Sequence, residues 1–242
     1  MNDDIDRDTP ADQPMDAWLD DLKAAARFLT RVPVGEAGGA FDLNRALRAF
    51  PVIGALIGLA AAVVLWLAVA LNLPAGLAAA VTILGLVALT GGLHEDGLAD
   101  TADGFWGGAT REAKLAIMHD SRIGTFGVVA LAGSLLLRSE ALATLTLADI
   151  GAATGALVAA AVLSRHSMVA LLRGADPARH DGVAATVGRP SSDTVRTSFI
   201  ATLIIAVPCL WLAGGIAGIV IGLGLAALVH WGVKSLAVRQ IG

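Results

Sequence analysis

Between Gly91 and Gly108 the chain reads Gly-Gly-Leu-His-Glu-Asp-Gly-Leu-Ala-Asp-Thr-Ala-Asp-Gly-Phe-Trp-Gly-Gly. Four carboxylates, Glu95, Asp96, Asp100 and Asp103, and six glycines fall within eighteen residues. On a helix Asp96, Asp100 and Asp103 are spaced i, i+4 and i+7, so they share one face. Carboxylates so crowded repel one another, and the usual remedy is a hard cation such as Mg²⁺, which takes oxygen ligands. Asp96, Asp100 and Asp103 are therefore the expected metal ligands, with Glu95 as the fourth acid of the site. The competing explanation is a solvated acidic loop with helix-capping aspartates. Against it, the acids directly follow a long apolar segment and recur on one face.

Cations complement these acids. Arg111, Lys114, Arg122, Arg173, Arg179 and Arg189 all fall in polar connecting segments. Acids that hold Mg²⁺ and guanidinium groups that hold phosphate oxygens make up the apparatus of phosphoryl transfer, where catalysis is largely positioning and charge neutralisation. The run Asp120-Ser121-Arg122-Ile123-Gly124-Thr125-Phe126-Gly127 opens an apolar segment. Helix capping accounts for Asp120 and Ser121. It does not account for Arg122, a cation at the unfavourable end of a helix dipole, and phosphate contact is the role assigned to it. Arg165 and His166 sit near the end of an apolar helix, where Arg165 either snorkels to the interface or lines the site.

The elements that must position these groups are membrane helices. Of 242 residues, 56% are hydrophobic and 16% charged, and the mean hydropathy is +0.72, which excludes an ordinary soluble domain. Tyr is absent and Gly reaches 28, as suits helices packed through small residues rather than a barrel. The single Cys209 can form no intramolecular disulfide and is a small packing residue. Residues 1–15, rich in Asp, form an expected disordered acidic tail. Residues 16–242 form a single integral-membrane catalytic domain.

Trp18, Leu22, Ala25, Ala26 and Leu29 recur at helical spacing, which predicts an amphipathic helix over 16–31, lying on the bilayer surface. Six apolar segments follow, over about 50–71, 75–92, 123–137, 150–172, 198–213 and 215–233. Gly54 and Gly58 offer a close-contact face on the first. Arg138, Ser139 and Glu140 are expected to interrupt the chain at the far interface, leaving the mid-membrane parts almost free of ionisable groups. Of the seventeen Lys and Arg, all but Arg138 and Arg165 lie in segments on one side of this map. That places both termini and the polar segments in the cytoplasm. The expected fold is all-α: a polytopic bundle of about six transmembrane helices plus the amphipathic helix.

The stretch from Gly91 to Gly104 resembles the signature of the cobalamin synthase family, the adenosylcobinamide-GDP ribazoletransferases. Arg27-Phe28-Leu29-Thr30-Arg31-Val32-Pro33-Val34, Ala49-Phe50-Pro51-Val52-Ile53-Gly54 and Asp120 to Gly127 are similar to the same family, in the same order. The resemblance implies an enzyme of the bacterial inner membrane that completes vitamin B12. In that reaction a ribose hydroxyl of α-ribazole, or of its 5′-phosphate, attacks the diphosphate of adenosylcobinamide-GDP, and GMP leaves, with Mg²⁺ required. The implied catalytic residues are Glu95, Asp96, Asp100 and Asp103, and the implied substrate-binding residues are Asp120, Ser121, Arg122, Arg165 and Arg31. The lipid bilayer is the expected surrounding, and no nucleic acid is expected as a partner. Family members continue with a Gly-Gly-x-Thr-Gly-Asp segment and a further acidic helix. By that resemblance the expectation for a sequence ending at Arg239-Gln240-Ile241-Gly242 is either truncation or loss of part of the family's site. The rival class is a transporter with an acidic cytoplasmic gate.

Overall fold

The computed structural model describes residues 14–35 and 42–242, with side chains from residue 17. The expected tail lies outside the described residues as far as position 13. Among the described residues every regular element is helical. The expected amphipathic helix is α1, Pro14–Leu29. It docks on protein, with Ala25 and Leu29 fully buried against Phe50 and Ile53. A polar contact fixes its rotation: Asp21, 1% exposed, receives Arg45 Nε at 2.8 Å and Arg48 Nε at 2.5 Å. Two guanidinium groups on one buried carboxylate satisfy both oxygens, which the burial of a charge requires.

Arg45 and Arg48 belong to a short helix, α2 (Leu43–Ala46), and the 3₁₀ turn Leu47–Ala49 that leads into α3, Phe50–Ala70. A Cβ added at Gly54 would lie 2.7 Å from the carbonyl oxygen of Ala161, and one at Gly58 2.6 Å from Cα of Val158. Both glycines are therefore required for the backbone contact with α8, Ile150–Gly174, as their spacing predicts. One turn earlier on α8, Gly155 lies against the carbonyl of Cys209, so α8 packs through small residues on two neighbours and is the central helix.

Asn72, at φ 58°, and Pro74 turn the chain into α4, Ala75–Thr90. Gly91 (φ 66°) and Gly92 (φ 73°) then both take left-handed backbone, which other residues rarely adopt. They swing α5, Leu93–Gly107, 92° away from α4. The acidic stretch thus has its own helix, set across the end of the preceding one. Past α6 (Arg111–Ile117) comes α7, Thr125–Ala148. It is continuous, so the expected interruption at Arg138 to Glu140 does not occur. Arg138 instead points inward to Glu95 on α5. One ion pair removes the need for a break, because the charge finds its partner on a neighbouring helix.

After α8, a polar segment with the short α9 (Val183–Val187) leads to α10, Ser192–Ile241. Gly214 and Gly215 leave helical geometry inside α10, and beyond them Gly218 lies against the carbonyl of Leu210. Hence α10 is a hairpin whose two arms are the last two expected spans. Its end returns to the polar side, where Arg111 donates to the carbonyls of Ile241 at 2.6 Å and Ala178 at 2.9 Å. Leu43–Ala70, α7, α8 and α10 are each long and apolar enough to cross a membrane, and α4 with α5 makes a bent pair. The protein is an all-α membrane bundle.

Candidate active site

The bend at Gly91-Gly92 opens a cleft of ≈ 840 Å³ at the polar end of the bundle. Glu95, Asp96 and Asp100 from α5 form one wall, Asp120, Ser121 and Arg122 another, and Arg31 and Arg179 reach in from the α1 and α8–α9 connections. Seven of the nine expected site residues line this cleft. Arg31 is held by its own backbone, whose N–H donates to the carbonyl of Leu89 at 2.8 Å. Its side chain crosses the place a Cβ would occupy on Gly91, so the glycine serves the turn and the arginine together.

Asp96 is exposed, and Asp100 is half-buried one helical turn later. The carboxyl of Asp100 is pushed up from its ordinary value, first by burial and then by the neighbouring charges of Asp96 and Asp103. A hard cation relieves such crowding, and Mg²⁺ is commonly held by one or two carboxylates together with substrate phosphates. Asp96 and Asp100 fit that requirement.

Asp103 departs from the expected set. It is 7% exposed and absent from the cleft wall. Its Oδ2 accepts the backbone N–H of Gly124 at 2.7 Å, and its Oδ1 that of Gly127 at 2.8 Å. It caps α7 from another helix, satisfying donors that the first turn leaves free. Correspondingly, among the described residues no three His, Cys, Asp or Glu side chains come together as metal ligands. The sequence signal for this role was the pair Gly124 and Gly127. A Cβ at Gly124 would stand 2.5 Å from Oδ1 of Asp103, and one at Gly127 would collide with Oδ2.

Asp120 does not cap α7. It holds Arg122: Nη2 donates to Oδ2 at 2.6 Å, and the Arg122 backbone N–H donates to Oδ1 at 3.0 Å. These bonds pull the Asp120 carboxyl down to about 2. Arg122 remains 86% exposed beyond this contact and lines the cleft.

Arg165 neither snorkels nor joins the cleft. It is 7% exposed and lines a second cavity, ≈ 440 Å³, between α4, α7 and α8. Glu95 lines both cavities; its Oε1 receives Arg138 Nη1 at 2.9 Å. The expectation of a bundle interior almost free of ionisable groups is therefore overturned, because His94, Glu95, Arg138 and Arg165 meet there. Sequence spacing could not bring together residues more than forty positions apart.

Comparison with known proteins places the chain in a family. Residues 21–242 match the family described as cobalamin-5-phosphate synthase. A protein of Azorhizobium caulinodans named adenosylcobinamide-GDP ribazoletransferase is 45% identical over 93% of this chain and 87% of its own length. Proteins of the same name from Bradyrhizobium diazoefficiens and Ralstonia nicotianae are 44% identical over 92% of this chain and 84% of theirs, and 40% identical over 91% and 85%. No solved structure matches the chain. With a family match over nearly its whole length, the chain belongs to the cobalamin-5-phosphate synthase family.

Proposed function

We propose that the chain transfers α-ribazole, or α-ribazole 5′-phosphate, onto adenosylcobinamide-GDP and releases GMP, the last assembly step of adenosylcobalamin. The observation that carries this reading is the single cleft in which Asp96 and Asp100 stand on one wall and Arg31, Arg122 and Arg179 on the others. A nucleotide diphosphate needs both signs of charge within reach.

In the proposed step a ribose hydroxyl oxygen forms a bond to the phosphorus on the cobinamide side of the diphosphate. The bond from that phosphorus to the bridging oxygen breaks, and GMP leaves with the electron pair. Arg31, Arg122 and Arg179 orient the diphosphate and neutralise its oxygens, with Asp120 holding Arg122 in place. Glu95 has one oxygen committed to Arg138 and the other, Oε2, without a partner, which leaves it free to take the hydroxyl's proton. Asp96 and Asp100 would hold Mg²⁺, which supplies Lewis-acid polarisation of the phosphoryl oxygens. Asp103 acts by fixing α5 against α7.

The gathering of basic residues at one end of the bundle supports an inner-membrane placement with that end in the cytoplasm. The rival transport reading draws on the charged interior, but family membership favours the transferase. Acceptor-dependent GMP release in vesicles tests the assignment. Release by wild type and its loss in Asp100→Asn are expected; wild-type turnover by that variant would overturn the role of the acids.

A further inference from the structure

Of the polar groups in the second cavity, the proposed step in the cleft uses only Glu95. At one end three buried polar atoms have no hydrogen-bond partner: His94 Nε2, Glu95 Oε2 and Arg165 Nε. All three residues line the cavity. Buried polar atoms in folded proteins are almost always satisfied, and three orphans around one space point to a ligand with hydroxyl or other polar groups at that end. Arg165 itself is 7% exposed. Thr90, Arg138 and Ser164 are the other polar residues of the wall, and the remainder, including Ile83, Leu86, Leu142, Leu145 and Leu157, is aliphatic.

Resting on the transferase reading above, we infer that this cavity seats the aromatic base of the acceptor nucleoside, with its ribose against His94, Glu95 and Arg165. The two substrates are distinguished by their polar groups. A guanine carries an amide and an amine that would stay unpaired against leucine and isoleucine. A benzimidazole-type base has no exocyclic polar group and loses nothing there. The corrin is excluded by size, because the cavity holds ≈ 440 Å³, the lower part of the range for drug-sized ligands. Glu95 lies on the walls of both cavities, so a ribose at this point puts its hydroxyl at the threshold of the cleft, next to the residue that precedes Asp96. Arg138 and Arg165 against Glu95 leave one positive charge in excess, which suits an acceptor bearing a 5′-phosphate.

Ala141 on α7 and Ala160 on α8 line the cavity and are exposed, so each can be enlarged without displacing a packed neighbour. In phosphatidylcholine vesicles, Ala160→Trp and Ala141→Trp should each raise the KM for α-ribazole by about tenfold or more, with the KM for adenosylcobinamide-GDP unchanged. A nucleoside with the smaller imidazole base should lose less. As a measurement independent of bulk, Ala160→Cys should be alkylated by N-ethylmaleimide more slowly when α-ribazole is present, and at an unchanged rate with GDP. Unchanged acceptor KM in both tryptophan variants, an equal rise for the donor, or no protection of position 160 would overturn the inference. Protection by phosphatidylglycerol instead of α-ribazole would assign the cavity to lipid and overturn it equally. If wild type releases no GMP, the transferase reading itself fails; if wild type turns over and only these effects are missing, the base site alone fails.

Discussion

The carboxylate of Asp103 accepts the backbone N–H of Gly127 at 2.8 Å, across 24 positions of sequence, while its second oxygen takes the N–H of Gly124. Through this contact the helix that carries the acids and the helix that begins the next span form one unit. Asp103→Asn puts an amide group against a backbone donor and should destabilise the protein by about 1–3 kcal/mol. The thermal midpoint in detergent should fall, with the Mg²⁺ concentration for half-maximal turnover unchanged. A variant of wild-type stability with weakened Mg²⁺ dependence would restore Asp103 to the metal site.

The same contact makes a prediction about glycine. Gly127→Ala drives a methyl into the Asp103 carboxylate, whereas a Cβ at Gly133, on the same helix, meets nothing within 4 Å. Gly133→Ala should therefore be neutral or stabilising by up to about 1 kcal/mol, and Gly127→Ala should lower the unfolding midpoint. Equal midpoints for the two variants would contradict the cap.

Glu95 and Arg138 form an ion pair in which the side chains are 14% and 38% exposed. Removing one partner of a buried pair costs about 3–5 kcal/mol, reduced here to about 1–3 kcal/mol by the exposure of Arg138. Arg138→Met should destabilise by that amount, and Arg138→Met with Glu95→Gln should recover part of it. A double variant whose loss equals the sum of the two single losses would show that the two residues do not act on each other.

How far the sequence foretold this arrangement depends on the range of the interaction. The helical spacing of Asp96 and Asp100, the Gly54 and Gly58 contact and the turn at Asn72-Leu73-Pro74 are local properties, and all three are present as read. The period of three and four residues also placed Asp103 on the acidic face, yet a helix face has length. At i+7 Asp103 is only about 20° around the helix from Asp96 but about 10.5 Å further along it, where it meets the start of α7 instead of the cleft. Arg138 looked like an interface residue because a charge in an apolar run has only two outlets, solvent or a partner. The partner, Glu95, lies 43 positions away. The cavity beside it follows from how three helices pack, which no local pattern encodes.

Asp120 and Arg122 give a pH prediction. The Asp120 carboxyl is lowered to about 2 by its bonds from Arg122, so the pair's contribution is complete above the ordinary aspartate value near 3.9. That contribution is lost only as pH falls through about 2. Between pH 5 and 9 the charge state of the pair is constant. Asp120→Asn should therefore lower turnover by a constant factor across that range, by releasing Arg122. An acid limb between pH 5 and 7 that is present in wild type and absent in the variant would contradict this.

The central claim is that the cleft between α5 and the Asp120–Arg122 loop joins two substrates at a diphosphate. Its most direct test is GMP formation by the purified protein in vesicles, with adenosylcobinamide-GDP, Mg²⁺ and α-ribazole supplied together and each omitted in turn. The account predicts GMP and adenosylcobalamin in equal amounts, dependent on all three, and neither product from Asp100→Asn. Release of GMP without adenosylcobalamin, or equal product formation by Asp100→Asn, would contradict it.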